Sequence, residues 1–128
     1  MAAAYIEHVN VTVRDPARSA ALMNALFGWH ERWRGAARDG GFTIHVGSDS
    51  AYLALYTGPD GADADALFEK GVPLNHIGIE VDDLDAVEAR VIEAGLLPFA
   101  HGDYEPGRRF YFFDENGIEF EIVSYAQP

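Results

Sequence analysis

A chain of 128 residues, 48% of them hydrophobic, is long enough for one domain with a real core. It has no run of about 18 apolar residues, which excludes a transmembrane helix, and its formal net charge of -12 sets it against nucleic-acid backbones and anionic lipid surfaces. Cysteine is absent, excluding disulfides and thiolate chemistry; Met1 to Tyr5 carries no basic or long apolar stretch to mark a secretory signal, so the cytoplasm is the expected compartment.

The first strand pattern runs from about Tyr5 to Val13, with Glu7-His8-Val9-Asn10-Val11-Thr12-Val13 alternating cleanly. Asp15-Pro16 follows: Asp accepts free N–H groups at a helix start, and Pro is pre-set for the first turn. The helix reaches Leu26 and stops at Gly28. Strands are expected over Trp29 to Arg34, Phe42 to Val46 and Tyr52 to Tyr56, with turns at Gly40-Gly41 and Ser48-Asp49-Ser50. Thr57 to Pro73 is rich in Gly, Asp and Ala and reads as a connector, with a helical turn at Leu67-Phe68. The order then repeats. Strand Asn75 to Val81 leads to Asp83 and a helix with Leu84, Val87 and Val91 on one face, ended by Gly95. Strands near Pro98 to His101, Arg109 to Phe113 and Ile118 to Ser124 complete it, with an Asn116-Gly117 hairpin turn.

His8 and His76 are separated by the same 68 positions as Asp15 and Asp83, so the chain is an internal repeat. Each copy is β-α-β-β-β. The fold class is α+β, with two βαβββ modules forming a curved, cup-like mixed sheet and helices on its convex side. Residues 1–128 make one domain: module one spans about 4–57, a linker about 58–73, and module two about 74–125.

Strand alternation sorts the faces. Val9, Val11 and Val13 oppose His8, Asn10 and Thr12. Ile77 and Ile79 oppose His76, Gly78 and Glu80. Phe120 and Ile122 oppose Glu119, Glu121 and Val123. The apolar faces suit the helices, and the others carry both histidines and Glu121. Two imidazoles and a carboxylate bind a divalent ion on one side and leave positions open for substrate. Other residues have two readings. Trp33, Phe42, Tyr52 and Tyr56 line an aromatic pocket or pack a core or dimer. His45 and His101 are acid–base groups or structural side chains. Arg108-Arg109, placed on a loop after Pro106-Gly107, anchor an anionic substrate or stay solvated. The acidic run Asp60 to Asp65 reads as a solvated linker.

Ile6-Glu7-His8-Val9, Asn75-His76-Ile77-Gly78-Ile79-Glu80-Val81-Asp82-Asp83-Leu84 and Phe112-Phe113-Asp114-Glu115-Asn116-Gly117-Ile118-Glu119-Phe120-Glu121 together resemble the vicinal oxygen chelate superfamily, which includes glyoxalase I, fosfomycin-resistance proteins, extradiol dioxygenases and bleomycin-resistance proteins. Glu115 replaces the family's usual Pro. The resemblance implies paired βαβββ modules and one divalent ion per site (Fe, Mn, Zn or Ni) on His8, His76 and Glu121. Glyoxalase I enzymes usually add a fourth ligand, a Glu, where this chain has Ala54, which disfavours that activity. Tyr111 stands where some three-ligand members carry a Tyr that contacts substrate or its metal-bound oxygen. Asn10 replaces a substrate-contacting Thr of fosfomycin-resistance enzymes, and Arg108 and Arg109 are the best bases for a phosphonate. Short members commonly form homodimers in which His8 of one chain joins His76 and Glu121 of the other. The function expected is a metal-dependent dioxygenase, lyase or transferase acting on a small oxygen-bearing substrate. The alternative is a metal-free protein that sequesters an aromatic or cationic compound.

Overall fold

A computed structural model describes residues 4–61, 68–104 and 107–125. The chain divides into two compact units, Met1–Asp65 and Ala66–Pro128.

In the first unit, β1 (His8–Thr12), α1 (Pro16–Phe27), β2 (His30–Ala36), β3 (Phe42–Gly47) and β4 (Tyr52–Thr57) follow in order. The sheet order is β1-β4-β3-β2. β1 lies parallel to β4, while β2, β3 and β4 form antiparallel hairpins, so the sheet is mixed. The second unit repeats this with β5 (Ile77–Glu80), α2 (Leu84–Glu93), β6 (Phe99–Tyr104), β7 (Gly107–Phe113) and β8 (Glu119–Ser124), in the order β5-β8-β7-β6. β5 is parallel to β8, and the other pairs are antiparallel.

The helix boundaries follow their caps. Asp15 Oδ1 accepts from Ala17 N at 3.1 Å and Arg18 N at 3.2 Å, and Pro16 opens α1. Asp83 does the same for α2, accepting from Ala86 N at 3.0 Å. Gly28 takes φ +71 and returns its N–H to Asn24, a left-handed stop that favours glycine. Ser19, Ala20, Met23 and Leu26 turn inward from α1, which packs on β3 and β4; Leu84, Val87 and Val91 do so from α2, against β7 and β8. The two cores thus contain Ile44, Val46, Leu53 and Leu55 in one unit and Phe110, Phe112, Phe120 and Ile122 in the other. Each such side chain contributes about 1.5–3 kcal/mol by leaving water.

Besides shifts of one or two residues, such as β5 starting at Ile77 and not Asn75, three placements differ from expectation. β1 starts at His8 rather than Tyr5, because its one partner, β4, begins at Tyr52 opposite His8; Tyr5 and Ile6 are exposed. β6 extends to Tyr104 through an irregularity between Phe99 and Gly102, where Ala100 has φ +54. Arg108 and Arg109 lie inside β7 and not on a loop, since both pair with β8. The Leu67-Phe68 turn falls partly outside the described residues; Phe68 itself is not helical, and its N–H donates to the Asn116 carbonyl at 2.7 Å. The tail of the acidic linker also lies outside them.

The β7–β8 turn carries one buried acid. Asp114 accepts from Asn116 N and Ile118 N, both at 2.9 Å, and from Asn116 Nδ2 at 3.1 Å. Gly117, at φ +81, completes the turn. Asp114→Ala deprives these N–H groups of their acceptor, at about 1–3 kcal/mol for each one left unsatisfied. We expect a lower urea midpoint with an unchanged slope; an unchanged midpoint would refute this role.

Candidate functional site

Directly paired residues of neighbouring strands share a face, so the register places the candidates. In the first unit His8 pairs with Tyr52, Asn10 with Ala54 and Thr12 with Tyr56. Tyr52, Ala54 and Tyr56 pair in turn with Gly47, His45 and Thr43, and Trp33 pairs with His45. One face therefore holds His8, Asn10, Tyr52, Tyr56, His45 and Trp33. Phe42 does not belong to it: strand parity puts it with Ile44 and Val46 on the opposite face, where the Arg34 guanidinium lies 5.9 Å from its ring.

An aromatic row crosses this face. The His8 and Tyr52 rings stack at 4.9 Å, Tyr52 and His45 at 4.5 Å, and Trp33 and His45 meet at 5.0 Å. Arg32 covers the Tyr52 ring at 4.5 Å. Trp33 stays half exposed and lies over Gly35, where a Cβ would come within 2.6 Å of the indole. The Tyr56 hydroxyl donates to Asp39. His8 Nδ1 lies 2.9 Å from Glu7 Oε1, so its other nitrogen, Nε2, is the one not engaged by Glu7.

His45 has a pKa below its ordinary value of 6.5, first because burial penalises imidazolium and then because His8 and Arg32 add positive charge. The unfolded chain binds that proton more readily, so this group's stabilising contribution is present above pH 6.5 and is lost as pH falls through the lowered value. By ring NMR, His45 should titrate below 6.5, and His8→Ala should raise its midpoint. A midpoint at or above 6.5 would contradict this placement.

In the second unit His76 stands one residue before β5. Gly78 pairs with Glu121, and Tyr111 also pairs with Glu121. This puts His76, Glu119, Glu121, Arg109, Tyr111 and Phe113 on one face. His76 Nε2 is 3.0 Å from Glu121 Oε1, and His76 Nδ1 is 3.4 Å from Glu119 Oε2. The outer oxygen of Glu121, Oε2, accepts from Arg109 at 2.9 Å and from the Tyr111 hydroxyl at 3.1 Å. Lys70 Nζ donates to Glu119 Oε1 at 2.7 Å. Phe99 extends the face, stacked on Phe113 at 5.2 Å and near Tyr111 at 6.0 Å. His101 lies elsewhere: it stacks on Phe110, beneath α2, and approaches Glu88 at 2.5 Å. Arg108 turns to Asp85 of α2 at 3.0 Å.

Of the three expected ligands, His76 and Glu121 meet within their unit, while His8 sits in the other unit beside Glu7 and Tyr52. Among the described residues of the chain, no group of three His, Cys, Asp or Glu side chains is arranged to hold a metal ion. Glu119 does not make His76 and Glu121 into such a group, because the two carboxylates approach opposite nitrogens of the ring. The donor chemistry of His76 Nε2 and Glu121 Oε1 fits two adjacent positions of a divalent ion. Sequence reasoning places Glu119 on the face of Glu121 but gives it no role, and does not single out Lys70. The strand parity of Glu119 with Glu121 was available as a signal; Lys70, in the connector, offered none.

Two βαβββ units, each a helix on a mixed four-stranded sheet, with a histidine opening the first strand of one and immediately preceding that of the other, define a class of small α+β proteins. The sequence model of the Glyoxalase/Bleomycin resistance protein/Dioxygenase superfamily matches residues 5–122, and this chain belongs to that family. Among solved structures, it is similar to a glyoxylase/bleomycin resistance protein/dioxygenase domain from Frankia sp. EAN1pec, at 25% identity and TM-score 0.83, over 96% of this chain and 98% of that one. It also shares its fold with the fosfomycin resistance protein FosX from Mesorhizobium loti (24%, TM-score 0.72, 96% and 92% covered). FosX from Listeria monocytogenes, solved with Mn(II) and sulfate, has the same fold (18%, TM-score 0.73, 97% and 93% covered). No curated protein matches the chain significantly. Among the described residues no helix is long and apolar enough to cross a membrane.

Proposed function

We propose that this chain is a divalent-metal-dependent enzyme acting on a small oxygen-bearing substrate, with His8, His76 and Glu121 as ligands and Fe, Mn, Zn or Ni as the ion. The observation that supports this best is the 3.0 Å approach of His76 Nε2 to Glu121 Oε1, with Arg109 and Tyr111 holding the opposite carboxylate oxygen. Mn(II) in the Listeria FosX, a protein of the same fold, adds support. The sites belong to a homodimer in the cytoplasm, His8 coming from one chain and His76 and Glu121 from its partner, with each chain acting as a single domain. Held by His8, His76 and Glu121, a divalent ion would supply Lewis-acid chemistry toward adjacent substrate oxygens.

The chain's own residues do the rest. Arg109 engages Oε2 of Glu121 and would leave Oε1 to an ion. Tyr111 is assigned the catalytic contact with a substrate oxygen; its single O–H, which donates to Glu121 Oε2 in the free protein, would turn to the substrate. Asn10, Trp33, Tyr52 and Tyr56 line the substrate side of the first unit. The register places Ala54 opposite Asn10 as it places Glu121 opposite Gly78, so Ala54 is the repeat equivalent of Glu121. Its methyl group cannot ligate, which argues against glyoxalase I chemistry and leaves dioxygenation, lyase chemistry and transfer to an epoxide.

A second reading, sequestration of an aromatic or cationic compound without metal, is favoured by the row His8–Tyr52–His45–Trp33. Metal analysis of protein purified without chelators separates the two. The enzyme reading expects about one tightly held divalent ion per chain. Protein that neither retains nor takes up a divalent ion, but whose tryptophan fluorescence is quenched by an aromatic cation, supports the second reading.

A further inference from the structure

Resting on the metal centre proposed above, we infer that Glu119 is its positioning residue, orienting His76 from behind so that Nε2 faces Glu121 and the ion. Glu119 is only 3% exposed. A buried carboxylate costs several kcal/mol unless it is paired and hydrogen-bonded. The β7–β8 turn does not need it, since Asp114 already holds that turn. What Glu119 does touch is Lys70 at 2.7 Å and His76 Nδ1 at 3.4 Å.

These contacts place a carboxylate at each nitrogen of the ring, Glu121 on the ion's side and Glu119 behind it. A neutral imidazole has one N–H and one lone pair, on different nitrogens. An ion held on Nε2 would take that nitrogen's lone pair and leave the proton on Nδ1, 3.4 Å from Glu119 Oε2; without the ion, the 3.0 Å approach of Nε2 to Glu121 Oε1 needs the proton on Nε2. An outer carboxylate of this kind sets the ring's tautomer and angle and raises its basicity as a ligand. Lys70 engages the other oxygen of Glu119, which stabilises the buried charge and fixes the carboxylate in place. The first unit reaches the same orientation by other means. There Glu7, the preceding residue, sits 2.9 Å from His8 Nδ1, but its side chain is 64% exposed and so holds the ring less firmly. The asymmetry assigns the stricter control to His76.

The test uses metal-stripped full-length protein titrated with Zn(II) by calorimetry, and histidine-ring 15N NMR of the Zn(II)-loaded protein. In the wild type, His76 should ligate through Nε2 and show a slowly exchanging Nδ1–H. Glu119→Leu should weaken Zn(II) binding by about 10–100-fold and lose that slow exchange. Glu119→Gln, which still accepts from Nδ1–H, should keep most of the affinity. Zn(II) on Nδ1 of His76 in the wild type would overturn the inference without any variant. So would Glu119→Leu binding Zn(II) like the wild type, or Glu119→Gln binding as weakly as Glu119→Leu. If either occurs while Glu121→Ala still loses Zn(II), the centre stands and only the role of Glu119 falls. If Glu121→Ala binds like the wild type, or the wild type binds no Zn(II), the metal reading fails with it.

Discussion

Glu121→Ala is expected to strip the protein of its divalent ion. The loss should exceed the roughly 100-fold that marks removal of an outer partner, because a ligand itself is gone. It should also exceed the loss in Glu119→Ala, whose carboxylate reaches the other ring nitrogen. Two effects must be kept apart. Alanine removes a donor to the metal, but it also takes the Glu121 carboxylate away from the Arg109 guanidinium, itself only 15% exposed. Removing a carboxylate from beside a buried charge is destabilising in its own right. Glu121→Gln separates them: its amide oxygen still accepts from Arg109 or Tyr111, while the anionic donor is lost. The expected result is folded Glu121→Gln protein, by circular dichroism, with strongly impaired Zn(II) or Mn(II) binding. Equal metal affinity in wild type and Glu121→Gln would remove Glu121 from the ligand set.

Subunit mixing should produce the second large effect. His8→Ala chains lack one ligand at every site, and Glu121→Ala chains lack another, so neither homodimer is complete. In a mixed dimer with shared sites, one site takes His8 from the Glu121→Ala chain and His76 with Glu121 from the His8→Ala chain. It regains all three ligands, while the other site has lost two. Random exchange of equal amounts makes half the dimers mixed, so about a quarter of wild-type metal capacity should return. Each homodimer alone should show almost none. No recovery after exchange verified by mass spectrometry, or a monomer by light scattering, would refute shared sites.

Much of this architecture is legible in residue order. The alternation of Val9, Val11 and Val13 against His8, Asn10 and Thr12 is local, because successive residues of a strand point to opposite faces. Asp15 and Asp83 announce their helices because a short acidic side chain is the acceptor that free helical N–H groups need. The 68-residue offset between the histidines makes the two units copies of each other, and the parallel pairing of first and last strand recurs in both, with Ala54 and Glu121 at equivalent places. Phe42 shows where such reasoning fails. Its strand and its parity are both readable, yet the sequence alone groups it with Tyr52 and Tyr56 as an aromatic. Which parity of one strand shares a face with which parity of the next depends on cross-strand register, and that is settled by hydrogen bonding between distant segments. Arg108 and Arg109 make the same point: adjacent in sequence, they separate to Asp85 and to Glu121 because a strand passes between a helix-covered face and an open one.

The sequence by itself determined that there are two βαβββ units, where their helices begin and end, and that His8, His76 and Glu121 are the residues to examine. Those features depend on period-two alternation, capping chemistry and a repeat, all of which act over a few residues or are visible as a pattern. Only the tertiary structure decided that His76 lies between two carboxylates, that Arg109 and Tyr111 grip Glu121, and that Lys70 reaches back from the connector to Glu119. Those contacts join side chains up to 49 residues apart, as Lys70 and Glu119 are. Nothing in local propensity encodes them; they exist because sheet pairing carries remote segments to one face.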